Sequence, residues 1–450
     1  MFPGHLSRLH LFCIIFDSSG IYPAFFCENL TTFIKTLLII KCLYLLKNVN
    51  FAATLLGSYL MKILFVLNNI FSHGNGLATS ARATVKELRK AGQEVRVLSC
   101  ENLLEPQGPQ PDYRQKEFVF PIFQPLVKAH GYCFAKWTGP NIEEAVRWAD
   151  VVHIEEPFFI EHAAMNWAKK LGKPLTATYH MHPENMFFSL GMGDWSLPNN
   201  AMLRYWVRVF LNKCSYVQCP TENVRERLNR FHVKANCITI SNGLAPDKCI
   251  RPVTPTNDYL DENRPLEVIY IGRISGEKDQ PTLINAMRYS KYANRIRLHF
   301  AGLGPNLKKY KSMADKLYEE GIVKYKPVFD FLNRDQLREM AAHADLAIHC
   351  ATIEVEGLSI MEAMQQAVVP VIATAKCSGT STYALDDRSK FPAKDPITLA
   401  SRIDYWLDHP QERWEMGFKY AELMEKYDIA ISAKRLIEMF EKAIEENKTK

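Results

Sequence analysis

Two short, mostly apolar runs in the second half of the chain constrain the fold most. Residues 344–349 (Ala-Asp-Leu-Ala-Ile-His) and 368–373 (Val-Val-Pro-Val-Ile-Ala) lack the polar alternation of a half-exposed strand. Runs of this kind are typical of parallel strands that helices cover on both faces. We therefore expect an open parallel α/β sheet, which binds ligands at the carboxyl ends of its strands.

The segment that joins these runs carries two carboxylates. Glu354 and Glu362 are separated by seven residues, which include the turn Gly357-Leu358-Ser359. If a helix begins at this turn, its free N–H groups favour an anion, and Glu362 can accept hydrogen bonds from hydroxyls. The simpler alternative is a surface loop before an ordinary helix with acidic first turns. A carboxylate on each side of a phosphate-binding turn favours a sugar nucleotide as ligand.

Length and composition predict two folded domains. A chain of 450 residues is too long for one ordinary core, and 47% hydrophobic with 23% charged residues is typical of a globular protein. Residues 199–251 contain nine Lys or Arg against three acids, which matches the net charge of +6 for the whole chain. Because no nucleic-acid motif accompanies this basic stretch, we expect anionic lipid or phosphate there and no nucleic-acid partner.

The eleven cysteines are scattered and form neither a Cys-x-x-Cys motif nor a Cys/His cluster at zinc spacing. This pattern predicts no metal site, no disulfide framework and a reducing, cytoplasmic location. No Asp-x-Asp pair is present, so we expect a diphosphate to be held without a divalent ion.

The first 60 residues differ from the rest of the chain. Their longest uncharged run, residues 48–61, has fourteen residues, whereas a transmembrane helix needs about 18 or more. From Met61 the sequence Met-Lys-Ile-Leu-Phe-Val-Leu is typical of the first central strand of an α/β protein. We expect residues 1–60 to be a non-native or disordered upstream extension, or alternatively a weakly membrane-associating segment.

From residue 61 onward, strands and helices alternate twice. A strand, a loop containing Gly76 and a helix open the first Rossmann-like unit, residues 61–255, although the full Gly-x-Gly-x-x-Gly fingerprint is missing. A Pro/Thr/Asn-rich linker leads to a second unit, residues 265–425. In residues 426–450 the apolar side chains have helical spacing, so this last helix must pack on another part of the molecule.

Charged groups also follow strand ends elsewhere. Gly272 lets the backbone approach a ligand, and Arg273 and Lys278 place two cations on one short loop, where they can neutralise a departing diphosphate. In the first unit, His180 follows a strand and can bind a sugar hydroxyl or transfer a proton. The simpler alternatives are a solvated basic loop and a structural histidine.

In this order, the motifs resemble the retaining glycosyltransferases of family 4, which have the GT-B fold of two Rossmann-like, doubly wound domains facing each other across a cleft. The resemblance covers roughly residues 61–446. It implies that residues 61–255 bind an acceptor and 265–425 a nucleotide sugar, and that the C-terminal helix docks back. No cofactor is implied, because the nucleotide sugar is a substrate.

The resemblance also implies roles for the residues at matching positions. Glu362 would bind the ribose, and the backbone of residues 357–359 the phosphates. Arg273 and Lys278 would bind the diphosphate of the donor, and Glu354 with His180 its sugar. We expect a UDP-hexose, although Asp279 and residues 328–331 depart from the usual pattern and leave the base open.

Two strings, residues 378–389 and 180–185, look like the subgroup that includes diacylglycerol glucosyltransferases. This subgroup implies a membrane-lipid or lipid-linked glycan acceptor, in glycolipid or polysaccharide biosynthesis. Within residues 199–213 an apolar stripe lies beside basic residues, as in helices on anionic membranes, and the alternative is a core face. The stripe consists of Leu203, Trp206, Val207, Phe210 and Leu211.

The sequence therefore predicts a metal-independent, retaining hexosyltransferase, cytoplasmic or peripheral on the cytoplasmic face of a membrane. Two alternatives remain. A sugar-nucleotide 2-epimerase would use the same kind of cleft without an acceptor, and a non-catalytic membrane or nucleotide-binding module would keep the site without turnover.

Overall fold

The computed structural model describes residues 60–72, 76–121, 124–129, 132–188, 191–255, 261 and 263–449. Apart from Leu60, the extension expected for residues 1–60 lies outside the described residues.

The first half is built on a parallel sheet of seven strands in the order β3-β2-β1-β6-β7-β8-β9. A short antiparallel pair, β4 and β5, lies outside it. The strands of the first half, including this pair, are β1 (Lys62–Val66), β2 (Glu94–Cys100), β3 (Tyr113–Gln115), β4 (Glu117–Phe118), β5 (Phe134–Ala135), β6 (Val151–Ile154), β7 (Leu175–Thr178), β8 (Tyr216–Cys219) and β9 (Asn236–Thr239). Its helices are α1 (Gly76–Lys90), α2 (Gln124–Ala129), α3 (Pro140–Trp148), α4 (Phe159–Lys170), α5 (Pro183–Phe188), α6 (Ser196–Val209) and α7 (Glu222–Arg230).

The second half repeats this plan with six parallel strands in the order β12-β11-β10-β13-β15-β17. Its strands are β10 (Leu266–Ile271), β11 (Ile296–Ala301), β12 (Val328–Asp330), β13 (Leu346–His349), β14 (Ile353–Glu354), β15 (Val369–Thr374), β16 (Cys377–Ser378) and β17 (Lys390–Pro392). The helices after β10 are α8 (Gln280–Ala286), α9 (Leu307–Glu319), α10 (Arg334–His343), α11 (Leu358–Gln365), α12 (Pro396–Asp408), α13 (Pro410–Glu425) and α14 (Ile429–Lys448).

The two apolar runs of the second half are the neighbouring strands β13 and β15. They pair in parallel, with Ile348 opposite Val371, and every residue of β13 is buried. In β15 all residues except Thr374 are buried as well, and strands that are buried on both faces show no polar alternation. The carboxyl ends of both strands lie at one edge of the sheet, with Glu354 just beyond β13.

The last helix, α14, docks on the sheet of the first half. Its Leu436 and Phe440 are buried among Ile63 and Phe65 of β1, and the rings of Phe440 and Phe65 lie edge to face at 6.4 Å. The apolar spacing at the end of the chain therefore identified a docked helix. Two doubly wound sheets with a returning C-terminal helix form the GT-B architecture.

The apolar stripe on α6 does not face solvent. All five of its side chains are buried in the core of the first half: Leu203, Trp206, Val207, Phe210 and Leu211. The membrane interpretation of these side chains is therefore wrong, and the alternative of a core face is correct, because the helix packs its apolar side against the sheet. The exposed side of α6 instead carries Arg204, Tyr205 and Arg208. Within the described ranges, no helix is both long and apolar enough to cross a membrane.

Candidate active site

The loop after β10 is shaped by glycines that allow two backbone segments to touch. Gly302 has a φ of 155°, and a Cβ there would lie 2.8 Å from the carbonyl carbon of Gly272. A Cβ on Gly304 would lie 2.6 Å from the carbonyl carbon of Ile274. The Gly-x-Gly stretch after β11 therefore supports the loop that begins at Gly272 and carries the cations.

Both cations of this loop are paired with carboxylates. Arg273 forms an ion pair with Glu277, and Lys278 with Glu354. Ser275 also donates a hydrogen bond of 2.7 Å to Glu277. The Arg273 and Lys278 side chains keep 33% and 18% of their surface accessible, so a ligand in the cleft can reach both.

Glu354 is ionised in this environment. Burial raises the pKa of Glu354, but the charge of Lys278 and the hydrogen bond that Lys278 donates oppose burial, and the pKa lies below the usual value. Nε2 of His349 lies 3.7 Å from the Glu354 carboxylate. Burial lowers the pKa of His349 to about 4, so this ring is neutral at pH 7. The site thus has one carboxylate in direct contact with one ammonium group.

The helix after Glu354 begins at Gly357, as expected. Gly357 has a φ of 84°, and a Cβ there would clash with Cγ2 of Thr380. Leu358 and Ser359 are half-buried in the first turn of α11, where backbone N–H groups lack intrahelical acceptors. The turn can therefore present N–H groups to an anion.

Glu362 lies one turn further along α11, with an exposed side chain. It lines a small cavity together with Ile271, at the end of β10, and Arg334, at the start of α10.

Gly76 is the first residue of α1, and a Cβ there would meet nothing within 4 Å. Space therefore does not require glycine at position 76, and residues 73–75 of its loop lie outside the described residues.

His180 follows β7 in the first half and forms an ion pair with Glu155, which follows β6. The second oxygen of Glu155 lies 3.3 Å from Nε2 of His153. Burial raises the pKa of Glu155, but His180 and His153 outweigh it and bring its pKa to about 2. The ring nitrogens of His153 each lie 2.8 Å from a threonine hydroxyl, on Thr176 and Thr178. This network fixes the position of the His180 ring.

The sequence interpretation missed two buried acids beside this network, Glu156 and Glu161. Both contact the side-chain amide of Asn68, at 3.1 Å, and the Tyr132 hydroxyl donates to Glu156 at 2.5 Å. Burial raises the pKa of Glu156, and burial together with the charge of Glu156 raises the pKa of Glu161 well above its usual value. Two adjacent acids directly after a buried strand, Glu155-Glu156, were the available signal.

Glu356, which the sequence interpretation also missed, joins the two halves. Its carboxylate accepts hydrogen bonds from the Ser241 hydroxyl and, at 3.1 Å, from the Asn242 N–H. Burial raises the pKa of Glu356 to about 7, against the opposing effects of these bonds and of the nearby charge of His180. Glu356 therefore ties the segment that carries Glu354 and Gly357 to Ser241 and Asn242 of the first half.

Within the described residues, no group of three or more His, Cys, Asp or Glu could hold a metal ion. The structure brings four candidate groups to one edge of the second sheet: Arg273, Lys278, Glu354 and the start of α11.

Two family models match the chain over most of this fold. The model "Glycosyltransferase Family 4" matches residues 74–248, and "Glycosyl transferases group 1" matches residues 257–422.

Among curated proteins, an alpha-monoglucosyldiacylglycerol synthase of Streptococcus pneumoniae is 26% identical over 330 residues, covering 70% of this chain and 71% of that protein. A sulfoquinovosyl transferase of Arabidopsis thaliana is 25% identical over 399 residues, covering 81% and 70%.

The solved structure of Anabaena HepE in complex with UDP-glucose has a similar fold. Its TM-score is 0.63 and its sequence identity 16%, over 85% of this chain and all of that chain. Together with the two models and the paired parallel sheets, these similarities show that this chain belongs to the family 4, group 1 glycosyltransferases of GT-B fold.

Proposed function

We propose that this glycosyltransferase moves a hexose from UDP-hexose to a hydroxyl of a membrane lipid, such as diacylglycerol, or of a lipid-linked glycan, with retention of configuration. The contact between Lys278 and Glu354 at the carboxyl edge of the second sheet carries this proposal. It combines a cation for a departing phosphate with a carboxylate for sugar hydroxyls. The names of the two curated relatives support a glycolipid product.

The second half holds the donor in this proposal. Arg273 and Lys278 neutralise the diphosphate, which Gly272 allows to approach the backbone. The N–H groups of Gly357, Leu358 and Ser359 bind phosphate oxygens, and Glu362 accepts hydrogen bonds from the ribose hydroxyls.

The first half completes the site. His180 and, from the second half, Glu354 bind hydroxyls of the donor sugar, and the loop at Gly76 borders the donor. We assign residues 61–255 to acceptor binding, 265–425 to nucleotide-sugar binding and 426–450 to the returning helix. Because two cations compensate the diphosphate, the proposed reaction uses no metal ion.

Retention follows if the acceptor attacks the face from which the nucleotide departs. The bond between the anomeric carbon and the phosphate oxygen breaks, and a bond to the acceptor oxygen forms on the same face. The departing phosphate oxygen takes the proton of the acceptor hydroxyl, so no side chain has to act as base. Arg273 and Lys278 stabilise the negative charge that develops on the diphosphate.

A lipid acceptor requires contact with a membrane, and the exposed side of α6 and its preceding loop suits an anionic surface. Trp195, Leu197 and Tyr205 are 60%, 79% and 55% exposed, and Arg204 and Arg208 lie beside them. Aromatic and basic residues together are typical of interfacial helices. We place the enzyme on the cytoplasmic face of the membrane through this side, opposite to the buried stripe.

The test is transfer by the full chain from UDP-glucose and other sugar nucleotides, with and without diacylglycerol in anionic vesicles. We expect nucleotide release that depends on the lipid, and a glycolipid whose anomeric configuration by NMR equals that of the donor. Matched vesicles without anionic lipid should lower the rate. Isomerisation of the donor without acceptor, or donor binding without turnover, would contradict the proposal.

A further inference from the structure

The ring of Phe188, at the end of α5, lies between two glycines from different halves of the molecule. A Cβ on Gly276, in the cation loop of the second half, would lie 3.0 Å from Cδ1 of Phe188 and clash with Cε1. A Cβ on Gly193, in the first half, would lie 2.8 Å from Cγ of the same ring. Neither glycine has a left-handed φ. Room for the Phe188 ring is therefore the reason that the structure gives for glycine at both positions.

The surface under the ring is rigid in its own half. Gly276 begins the turn Gly276–Lys278, whose last carbonyl accepts a hydrogen bond of 2.5 Å from the Tyr270 hydroxyl. The Glu277 carbonyl accepts a bond of 2.9 Å from the Thr352 N–H. Because these bonds tie the turn to the end of β10 and to the segment after β13, the turn keeps its shape when a neighbour changes.

The helix that carries Phe188 is equally well anchored in the first half. Glu184, on α5, forms a buried ion pair of 2.5 Å with Arg227 of α7. Beyond the ring, Asp194 pairs with Lys394 of the second half at 2.9 Å, although both side chains are more than half exposed. Exposed pairs contribute little, so the contacts of this segment with the second half that matter are the ring and the Cys377 thiol, which donates a hydrogen bond of 3.6 Å to Glu184.

We propose that Phe188 is a positioning residue for glycosyl transfer. Its ring packs on Gly276 and sets the distance between the acceptor half and the diphosphate-binding loop. This inference rests on the proposed function, in which Arg273, before this turn, and Lys278, its last residue, bind the donor. Since a displacement of 1 Å can cost up to about 10²-fold in rate, loss of the contact should lower kcat. In the proposed function the second half alone holds the nucleotide, so the affinity for UDP should change little.

The experiment compares three variants of the full chain: Phe188→Ala, Gly276→Ala and the double variant. We expect each single variant to lower kcat about tenfold, by loss of the ring or by the clash, while the Kd for UDP, which the second half alone holds, changes less than about threefold. The double variant should be no worse than Phe188→Ala, because the new methyl group occupies space that the ring has left. Tyr289→Ala, which truncates a 55% exposed aromatic residue, is the matched control.

A readout without turnover separates this inference from the proposed function. The Asn242 N–H donates to Glu356 across the same boundary between the halves, so hydrogen exchange of the peptide containing Asn242 reports its opening. We expect faster exchange in both single variants, even if the enzyme proves to use another substrate. Wild-type exchange and kcat in the single variants, or losses that multiply in the double variant, would overturn the proposal.

Discussion

Two groups of buried acids, one in each half of the molecule, differ in their charge. In the second half, Glu354 lies against Lys278, and its pKa falls below the usual value although burial opposes this. In the first half, Glu156 and Glu161 share the neutral amide of Asn68, and burial raises the pKa of both carboxyls. The Lys278 pair thus keeps an ionised carboxylate, whereas burial favours the protonated form of the acids around Asn68.

This difference matches the two kinds of ligand that a glycosyltransferase must hold. A diphosphate carries negative charge and can take over the cation of an existing ion pair, as at Lys278. A protonated carboxyl group can donate a hydrogen bond to a neutral hydroxyl, as a carboxylate cannot. We infer that the charge of each group of acids reflects the substrate that binds beside it, and the predictions below test this comparison.

The largest effect should come from Lys278→Ala. The variant loses a cation that stabilises the departing diphosphate and leaves Glu354 buried without its partner, so kcat/KM should fall by about 10²–10³-fold. The measurement is the initial rate of transfer at several donor concentrations. As matched control, Lys291→Ala breaks an exposed pair of 2.7 Å with Asp408 and should keep full activity. A Lys278→Ala enzyme with wild-type turnover would refute the donor site.

On the acceptor side, His180→Asn should have a smaller but clear effect. Its removal leaves the buried Glu155 with His153, at 3.3 Å, as its remaining histidine partner, so we expect a kcat/KM lower by about tenfold to 10²-fold and a lower Tm. Thermal unfolding and transfer kinetics measure the two effects separately. Adding Glu155→Gln should restore Tm without restoring activity, whereas recovery of both would show that His180 is only structural. His343→Asn, on the exposed surface of α10, is the control.

The grouping of the candidate donor-site residues could be predicted from sequence because they lie in short segments directly after buried strands. Arg273 and Lys278 belong to one loop, and Glu354 and Glu362 to another, so strand assignment alone brings them to one edge. That the C-terminal helix packs on another part of the molecule was also predictable from its apolar spacing, since such a face must be buried.

Contacts between distant parts of the chain could not be predicted in this way. Asn68, Tyr132 and Glu156 meet only after three separate strands and loops have packed, and no local pattern links them. On α6, periodicity identified the apolar side but not whether that side faces lipid or the sheet. The contact of Phe188 with Gly276 likewise needs the relative position of the two halves.

The smallest expected effect concerns Glu356, which belongs to the second half but has a raised pKa, like Glu156 and Glu161 of the first half. Burial raises its pKa to about 7 from a usual value of 4.5, so the folded protein binds more protons than the unfolded chain between these pH values. This contribution to the free energy of unfolding is complete below pH 4.5, decreases as pH rises, and is lost above pH 7, with a total of at most about 3 kcal/mol. Glu356→Gln removes the titration, so its Tm should fall less than the wild-type Tm between pH 5 and pH 8. Calorimetry at both pH values measures this difference, with the exposed Glu445→Gln as control. Equal falls in Tm would show that Glu356 is ionised like Glu354, and would restrict the protonated acids to the group around Asn68.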